Sequence, residues 1–187
     1  MRRCDVGMIE DAVEAIRDGL IVGVPTDTVY GVAADPTSVA ALERLALLKG
    51  RAGGHPFPVL VTSLHRAADL VEFSAAATRL GTEHWPGPLT LVLPARRDLP
   101  VAHGGTIGVR VPDHPAALWL LEVAGPLAVT SANRSGEPAA RDDWEAKAIF
   151  GDEVAVYLGG ISLGGTPSTV VDCTVDPPVL LRAGPVG

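Results

Sequence analysis

The sequence predicts one α/β domain spanning residues 1–187, a mixed, twisted open sheet with flanking helices. Three observations carry this. A length of 187 residues is that of one domain, and such a chain can bury roughly 70% of its unfolded surface. Hydrophobic residues make up 47% and charged residues 20%, which excludes intrinsic disorder. Gly 21 and Pro 16 together form about a fifth of the chain, too many for a helix bundle and suited to short elements joined by turns.

Ile9, Ala12, Val13, Ile16 and Leu20 recur at helical spacing, with Gly19 as the stop. An apolar strand follows, Leu20 to Val24, and then a turn-rich segment, Pro25 to Pro36. Ser38 caps a helix with Val39, Leu42, Leu45 and Ala46 on its apolar face, ending near Lys49-Gly50-Arg51. Pro56 to Thr62 reads as a buried strand, and Ser74 caps a helix from Ala75 to about His84. Trp85-Pro86-Gly87-Pro88 is a tight turn with a packed indole, leading into a strand from Leu89 to Leu93. A strand from Thr106 to Val111 precedes a helix opened by Asp113 or His114, which carries Ala117, Leu118, Leu121 and Val123. A strand from Leu127 to Thr130, a polar segment and a helix ending at Phe150 follow. Short strands at Val154 to Leu158, Ser168 to Asp172 and Val179 to Leu181 close the pattern. Early alternation of strand and helix predicts parallel pairs, and closely spaced late strands predict antiparallel ones. Gly159-Gly160 and Gly164-Gly165 bracket a loop that reads as a mobile lid or a loose connection.

The net charge of −7 argues against nucleic-acid binding by overall charge, though a local basic groove stays open. Cys4 and Cys173 make no disulfide framework and no C-x-x-C. No apolar signal segment follows the basic start, and no apolar run approaches the roughly 20 residues of a membrane span, so the expected compartment is the cytosol. The phosphate-loop, dinucleotide-binding and nucleophile-elbow motifs are absent. His55, His65, His84, His103 and His114 show no metal-ligand spacing. Asn133-Arg134-Ser135 matches a glycosylation sequon, read as fortuitous without a signal segment.

Several polar clusters stand at strand ends. Thr26, Asp27, Thr28 and Tyr30 form one, read either as a self-capped turn or as a crevice beyond a strand terminus. Lys49 and Arg51 flank a glycine at a helix end, read either as cations on the helix dipole or as a phosphate clamp. Thr130 to Gly136 gathers hydroxyls, an amide and a guanidinium, which fits a substrate loop or a plain turn. Arg110, inside an apolar strand, needs a partner or an anionic ligand unless that strand is an edge; Arg182 poses the same question more weakly. The residues by themselves lead to an α/β protein that binds a phosphorylated or carboxylated small molecule.

Seven pieces in order bring a resemblance. They are Pro25-Thr26-Asp27-Thr28-Val29-Tyr30-Gly31, Lys49-x-Arg51, Trp85-Pro86-Gly87-Pro88-Leu89-Thr90 and Val109-Arg110-Val111-Pro112, then Thr130-Ser131-Ala132-Asn133-x-Ser135-Gly136, Ser168-Thr169-Val170-Val171-Asp172 and Leu181-Arg182-x-Gly184. This string resembles the YrdC/TsaC family of threonylcarbamoyl-AMP synthases, in the short, single-domain form. The resemblance implies a concave central cavity and a nucleotidyltransferase. Its reaction would join L-threonine, bicarbonate or CO2, and ATP into threonylcarbamoyl-AMP and pyrophosphate, for threonylcarbamoyladenosine formation in tRNA. It implies Thr28, Arg110 and Ser168 for L-threonine, and Lys49, Arg51, His55, Thr106, Ser131 and Arg182 for ATP, with Lys49, Arg51, Ser131 and Asn133 as the catalytic signature. Mg2+ would arrive on the triphosphate, with no protein metal site. A TsaD-type transferase complex would act downstream, weak binding of tRNA or double-stranded RNA is implied, and no membrane is involved. Two positions depart from the pattern. His55 replaces the usual Lys or Asn, and Leu60 stands where longer members place a threonine-contacting His. The alternatives are a carbamoyl-adenylate former like the YrdC-type domain of HypF, and a non-catalytic RNA-binding or ribosome-maturation module.

Overall fold

The computed structural model describes residues 3–50 and 56–187. Nine strands form one sheet, β1 Val22–Val24, β2 Gly31–Ala34, β3 Val59–Leu60, β4 Leu89–Pro94, β5 Thr106–Arg110, β6 Leu127–Ser131, β7 Val156–Tyr157, β8 Thr169–Asp172 and β9 Val179–Arg182. Their order across the sheet is β7-β1-β2-β6-β3-β5-β4-β8-β9. Six α-helices accompany them, α1 Arg3–Arg17, α2 Val39–Leu48, α3 Leu64–Ala68, α4 Ala75–His84, α5 Pro115–Ala124 and α6 Asp143–Phe150.

The helix boundaries follow local chemistry. Gly19, at φ 71, takes the left-handed turn that stops α1, and the amides of Gly19 and Leu20 return to the carbonyls of Ile16 and Ala15. The side chains of Ser38, Ser74 and Asp142 each accept an amide of the following first turn, of Ala41, Ala77 and Glu145. On α2 the buried stripe is Ala41, Leu42, Leu45 and Leu48, while Val39, expected inside, is 59% exposed. The five-residue α3 gives no periodic signal, and β2 lies hidden in the turn-rich segment.

The expected pairing directions need correction. β1 and β2, the earliest neighbours, run antiparallel, because only residues 25–30 join them and a parallel crossover needs a dozen or more. The parallel pairs are β3–β5, β4–β8 and β1–β7, each built across long separations. The late β8–β9 pair is antiparallel as expected.

Strand register assigns the faces. Val22, Val24, Ala33, Leu60, Leu127 and Val129 share one face and pack with Ile9, Val13, Ile16, Leu120 and Leu121 of α1 and α5. Tyr30, Val32, Val59, Val109 and Leu91 belong to the other core, with α2, α4 and α6. Along the first face the side chains of Ser131 on β6, Arg110 on β5 and Thr90 on β4 follow the same alternation. They line an open hollow beside the α1–α5 layer.

Candidate functional site

The residues 25–30 loop of the β1–β2 hairpin is a turn held by its own hydroxyl. Thr26 Oγ1 accepts from the Thr28 amide (3.2 Å) and donates to the Val29 carbonyl (2.7 Å). Both readings of this segment therefore hold, because the carboxylate of Asp27 leaves the turn. Its Oδ1 accepts from Arg110 Nη2 (2.5 Å) and from the Asp113 amide (3.1 Å). Tyr30 points away, into the core, and its hydroxyl donates to the Leu158 carbonyl (2.7 Å). Burial, first of all, pushes its phenol well above the usual range.

Arg110 ends β5, and its side chain is only 7% exposed. Nε donates to the Gly87 carbonyl (3.0 Å) and Nη1 to Thr28 Oγ1 (2.9 Å). The Trp85–Pro88 turn thus does more than pack its indole edge-on to Phe73 (6.2 Å between rings), since its Gly87 carbonyl orients this guanidinium. A guanidinium carries five N–H groups, so Nη1 and Nη2 each keep one N–H beyond these bonds. Burial lowers the Arg110 pKa, the charge of Asp27 opposes this, and the charge of Arg182 adds to it. Arg182 is itself lowered by burial and donates from Nε and Nη2 to the Ser168 carbonyl (3.0 and 2.8 Å) and from Nη2 to Ser168 Oγ (3.1 Å).

Thr28, Thr90, Arg110, Ser131, Ser168 and Arg182 all line one cavity of about 180 Å³. Hollows of about 370, 380 and 260 Å³ are larger, yet they gather none of these residues. Two guanidiniums share the cavity, and only Arg110 has a carboxylate partner among the described residues. The net positive charge and the ring of hydroxyls suit a small anionic, hydrogen-bonding ligand.

Five of the residues expected from sequence meet there: Thr28, Arg110, Ser131, Ser168 and Arg182. Leu60 lines the cavity too. Lys49 and Asn133 stand behind Ser131. The Lys49 ammonium is fully buried and donates to the Ser131 carbonyl (2.6 Å), the Asn133 carbonyl (2.6 Å) and Asn133 Oδ1 (2.7 Å). Asn133 Oδ1 also accepts from Ser131 Oγ (2.6 Å), and its Nδ2 donates to the carbonyls of Arg134 and Glu137. Thr106 is not brought to the cavity. It begins β5 on the same sheet face as Arg110, about 13 Å away by strand rise, and its hydroxyl donates to the His103 carbonyl. Arg51 and His55 lie outside the described residues.

Sequence reasoning passed over Thr90 as a member and did not pair Asp27 with Arg110. Thr90 is buried, and its hydroxyl bonds Ser168 Oγ (2.8 Å). A hydroxyl inside the apolar strand Leu89 to Leu93 was the available signal. Asp27 is the partner that a buried strand arginine demands. Among the described residues no group of three or more His, Cys, Asp or Glu could hold a metal ion. No described helix is long and apolar enough to cross a membrane.

Known proteins resemble this chain over most of its length. Residues 14–184 match the Sua5/YciO/YrdC family profile, described as "Telomere recombination". A protein of Mycobacterium tuberculosis (strain H37Rv) is 45% identical over 184 residues, covering 95% of this chain and 84% of its own. The threonylcarbamoyl-AMP synthase of Pseudomonas aeruginosa (strain PAO1) is 37% identical over 169 residues, 86% of this chain and 90% of its own. Among solved structures, Pyrococcus abyssi Sua5 complexed with L-threonine superposes with a TM-score of 0.89 at 37% identity, covering 94% of this chain. This chain spans only 54% of that protein.

Proposed function

The chain belongs to the Sua5/YciO/YrdC family, and from that premise we propose that it is a threonylcarbamoyl-AMP synthase acting in the cytoplasm. The observation that carries the reading is the pairing of Arg110 and Arg182 with the hydroxyls of Thr28 and Ser168 in one cavity. A relative of the same fold is solved with L-threonine.

L-threonine, bicarbonate and ATP with its Mg2+ are the substrates. The cavity presents guanidiniums and hydroxyls, so this chain grips the anionic groups, and the metal enters as part of the nucleotide. The spare N–H groups of Arg110 take the threonine carboxylate in fork geometry. Thr28 and Ser168 orient the amino acid. Bicarbonate takes up a proton and loses water to give CO2. The neutral threonine amine adds CO2 and releases a proton to form the carbamate, the carbamate oxygen attacks the α-phosphorus, and pyrophosphate leaves. Negative charge grows on the phosphoryl oxygens, where Arg182 and the Ser131 end of the cavity stabilise it. Thr106 extends the same face for the remainder of an extended nucleotide. The product is an acid anhydride, so a TsaD-type transferase consumes it on tRNA.

Pyrophosphate release from ATP, with bicarbonate and Mg2+, tests the reading. Release that depends on L-threonine and falls with L-serine supports it. Folded protein that releases none under any condition refutes it.

A further inference from the structure

The glycine-bracketed loop is neither free nor loose. Ser162 is 2% exposed, while its neighbours Ile161 and Leu163 are 60% and 88% exposed, so one side chain turns inward between two that turn out. Ser162 Oγ accepts from the Thr26 amide (3.0 Å), and the Ser162 amide donates to the Arg141 carbonyl (2.7 Å). The Gly165 amide donates to the Thr28 carbonyl (2.7 Å). At Gly164 the backbones touch. A Cβ there would lie 2.4 Å from the Asp27 carbonyl oxygen and 3.0 Å from Thr28 Cα. At Gly160, with φ +153, a Cβ would lie 2.8 Å from Pro25 Cγ. Apart from contacts with Arg141, Asp142 and Asp143 at the start of α6, the loop meets four successive residues, Pro25 to Thr28.

We propose that residues 159–165 form a strap that sets the shape of the amino-acid end of the cavity, with Ser162 as its positioning residue. The path is short and continuous. The strap fixes the turn, and the turn presents Asp27 Oδ1 and Thr28 Oγ1. Those two oxygens hold Nη2 and Nη1 of Arg110, the nitrogens whose remaining N–H groups serve the substrate. Beyond the strap the chain runs directly into Pro167 and Ser168, which line the same cavity. The Ser131 and Asn133 end receives no contact from the strap among the described residues. The strap therefore governs amino-acid affinity and leaves nucleotide affinity alone.

This inference rests on the proposed function, and its test separates the two. Ser162→Ala deletes one oxygen and keeps the fold, whereas Gly164→Ala forces backbone from backbone. In Ser162→Ala the Thr26 amide should exchange with solvent about 10-fold faster, reporting the lost acceptor without any substrate. Its KM for L-threonine should rise about 3- to 10-fold, with the KM for ATP within about two-fold. Gly164→Ala should exceed both threonine effects. An unchanged threonine KM, or equal rises in both KM values, overturns the strap. Wild-type protein without threonine-dependent pyrophosphate release overturns the functional reading first, and the strap's substrate role with it.

Discussion

The cavity has a buried cation near each of two ends, and they are built in opposite ways. Arg110 sits among one carboxylate, one hydroxyl and one carbonyl, and its planar fork still turns two N–H groups outward. The Lys49 ammonium instead makes three short bonds to backbone and side-chain oxygens of Ser131 and Asn133. The first arrangement leaves donors for a ligand. The second ties two loops together, so the Lys49 charge reaches the cavity as a field and the Ser131–Asn133 segment acts as its frame. A cation in a motif can thus serve by contact or by construction, and the groups it bonds tell which.

The largest expected effect breaks the Lys49 side. Lys49→Ala removes three short hydrogen bonds from a charged donor, each worth about 1.5–3 kcal/mol, although Asn133 Oδ1 keeps the Ser131 hydroxyl and the Ser131 carbonyl keeps the Asn133 amide. Thermal melting should fall by about 10 °C or more, and product formation should vanish with it. A variant that melts as the wild type does would place Lys49 outside the frame. Arg110→Lys probes the other side, because it keeps the charge and loses the fork. The KM for L-threonine should rise about 10- to 100-fold, while the KM for ATP moves by less than about three-fold. Equal changes in both would remove Arg110 from the amino-acid end.

Most of the elements were legible because their signals are local. Serine caps, a stopping glycine and apolar runs each act within a few residues, and they mark α1, α2, α4 and most strands. Pairing direction was not legible, since β3–β5 and β4–β8 are decided by contacts between distant segments. The same division holds in the site. Arg110 announced itself as a charge in an apolar strand, but its partner Asp27 stands 83 residues away in sequence. Lys49, at the end of α2, reads as a cation on a helix dipole, and only the tertiary structure turns its side chain inward. The inward turn of Ser162 is equally silent in a loop of glycines.

A smaller effect sharpens the amino-acid end. Thr90 touches Ser168 Oγ, and Ser168 also receives Arg182. Thr90→Val keeps the shape and removes one hydrogen bond of about 1 kcal/mol. The threonine KM should rise about 3- to 5-fold, with melting lowered by only about 2–4 °C. No change in threonine KM would show that Arg182 alone orients Ser168.

The smallest effect lies on the strap side of that end. The half-buried His114 ring has its Nδ1 enclosed without a partner among the described residues, and so has Asp27 Oδ2. Burial, the largest cause, lowers the His114 pKa below its ordinary value, and the charges of Asp27 and Asp113 and the Ile161 carbonyl oppose it. The folded protein therefore takes up its proton at lower pH than the unfolded chain does. The stability this contributes is complete above about pH 6.5, starts to fall below that value and is lost as pH drops through the lower folded-state pKa, because protons then favour the unfolded chain. Solvent screening of a half-buried ring limits the effect to about 1–2 °C of melting temperature between pH 7.5 and 5.5. His114→Gln should remove that increment and leave the rest of the acid dependence in place. If the variant loses as much on acidification as the wild type, the enclosed His114 ring does not supply this increment.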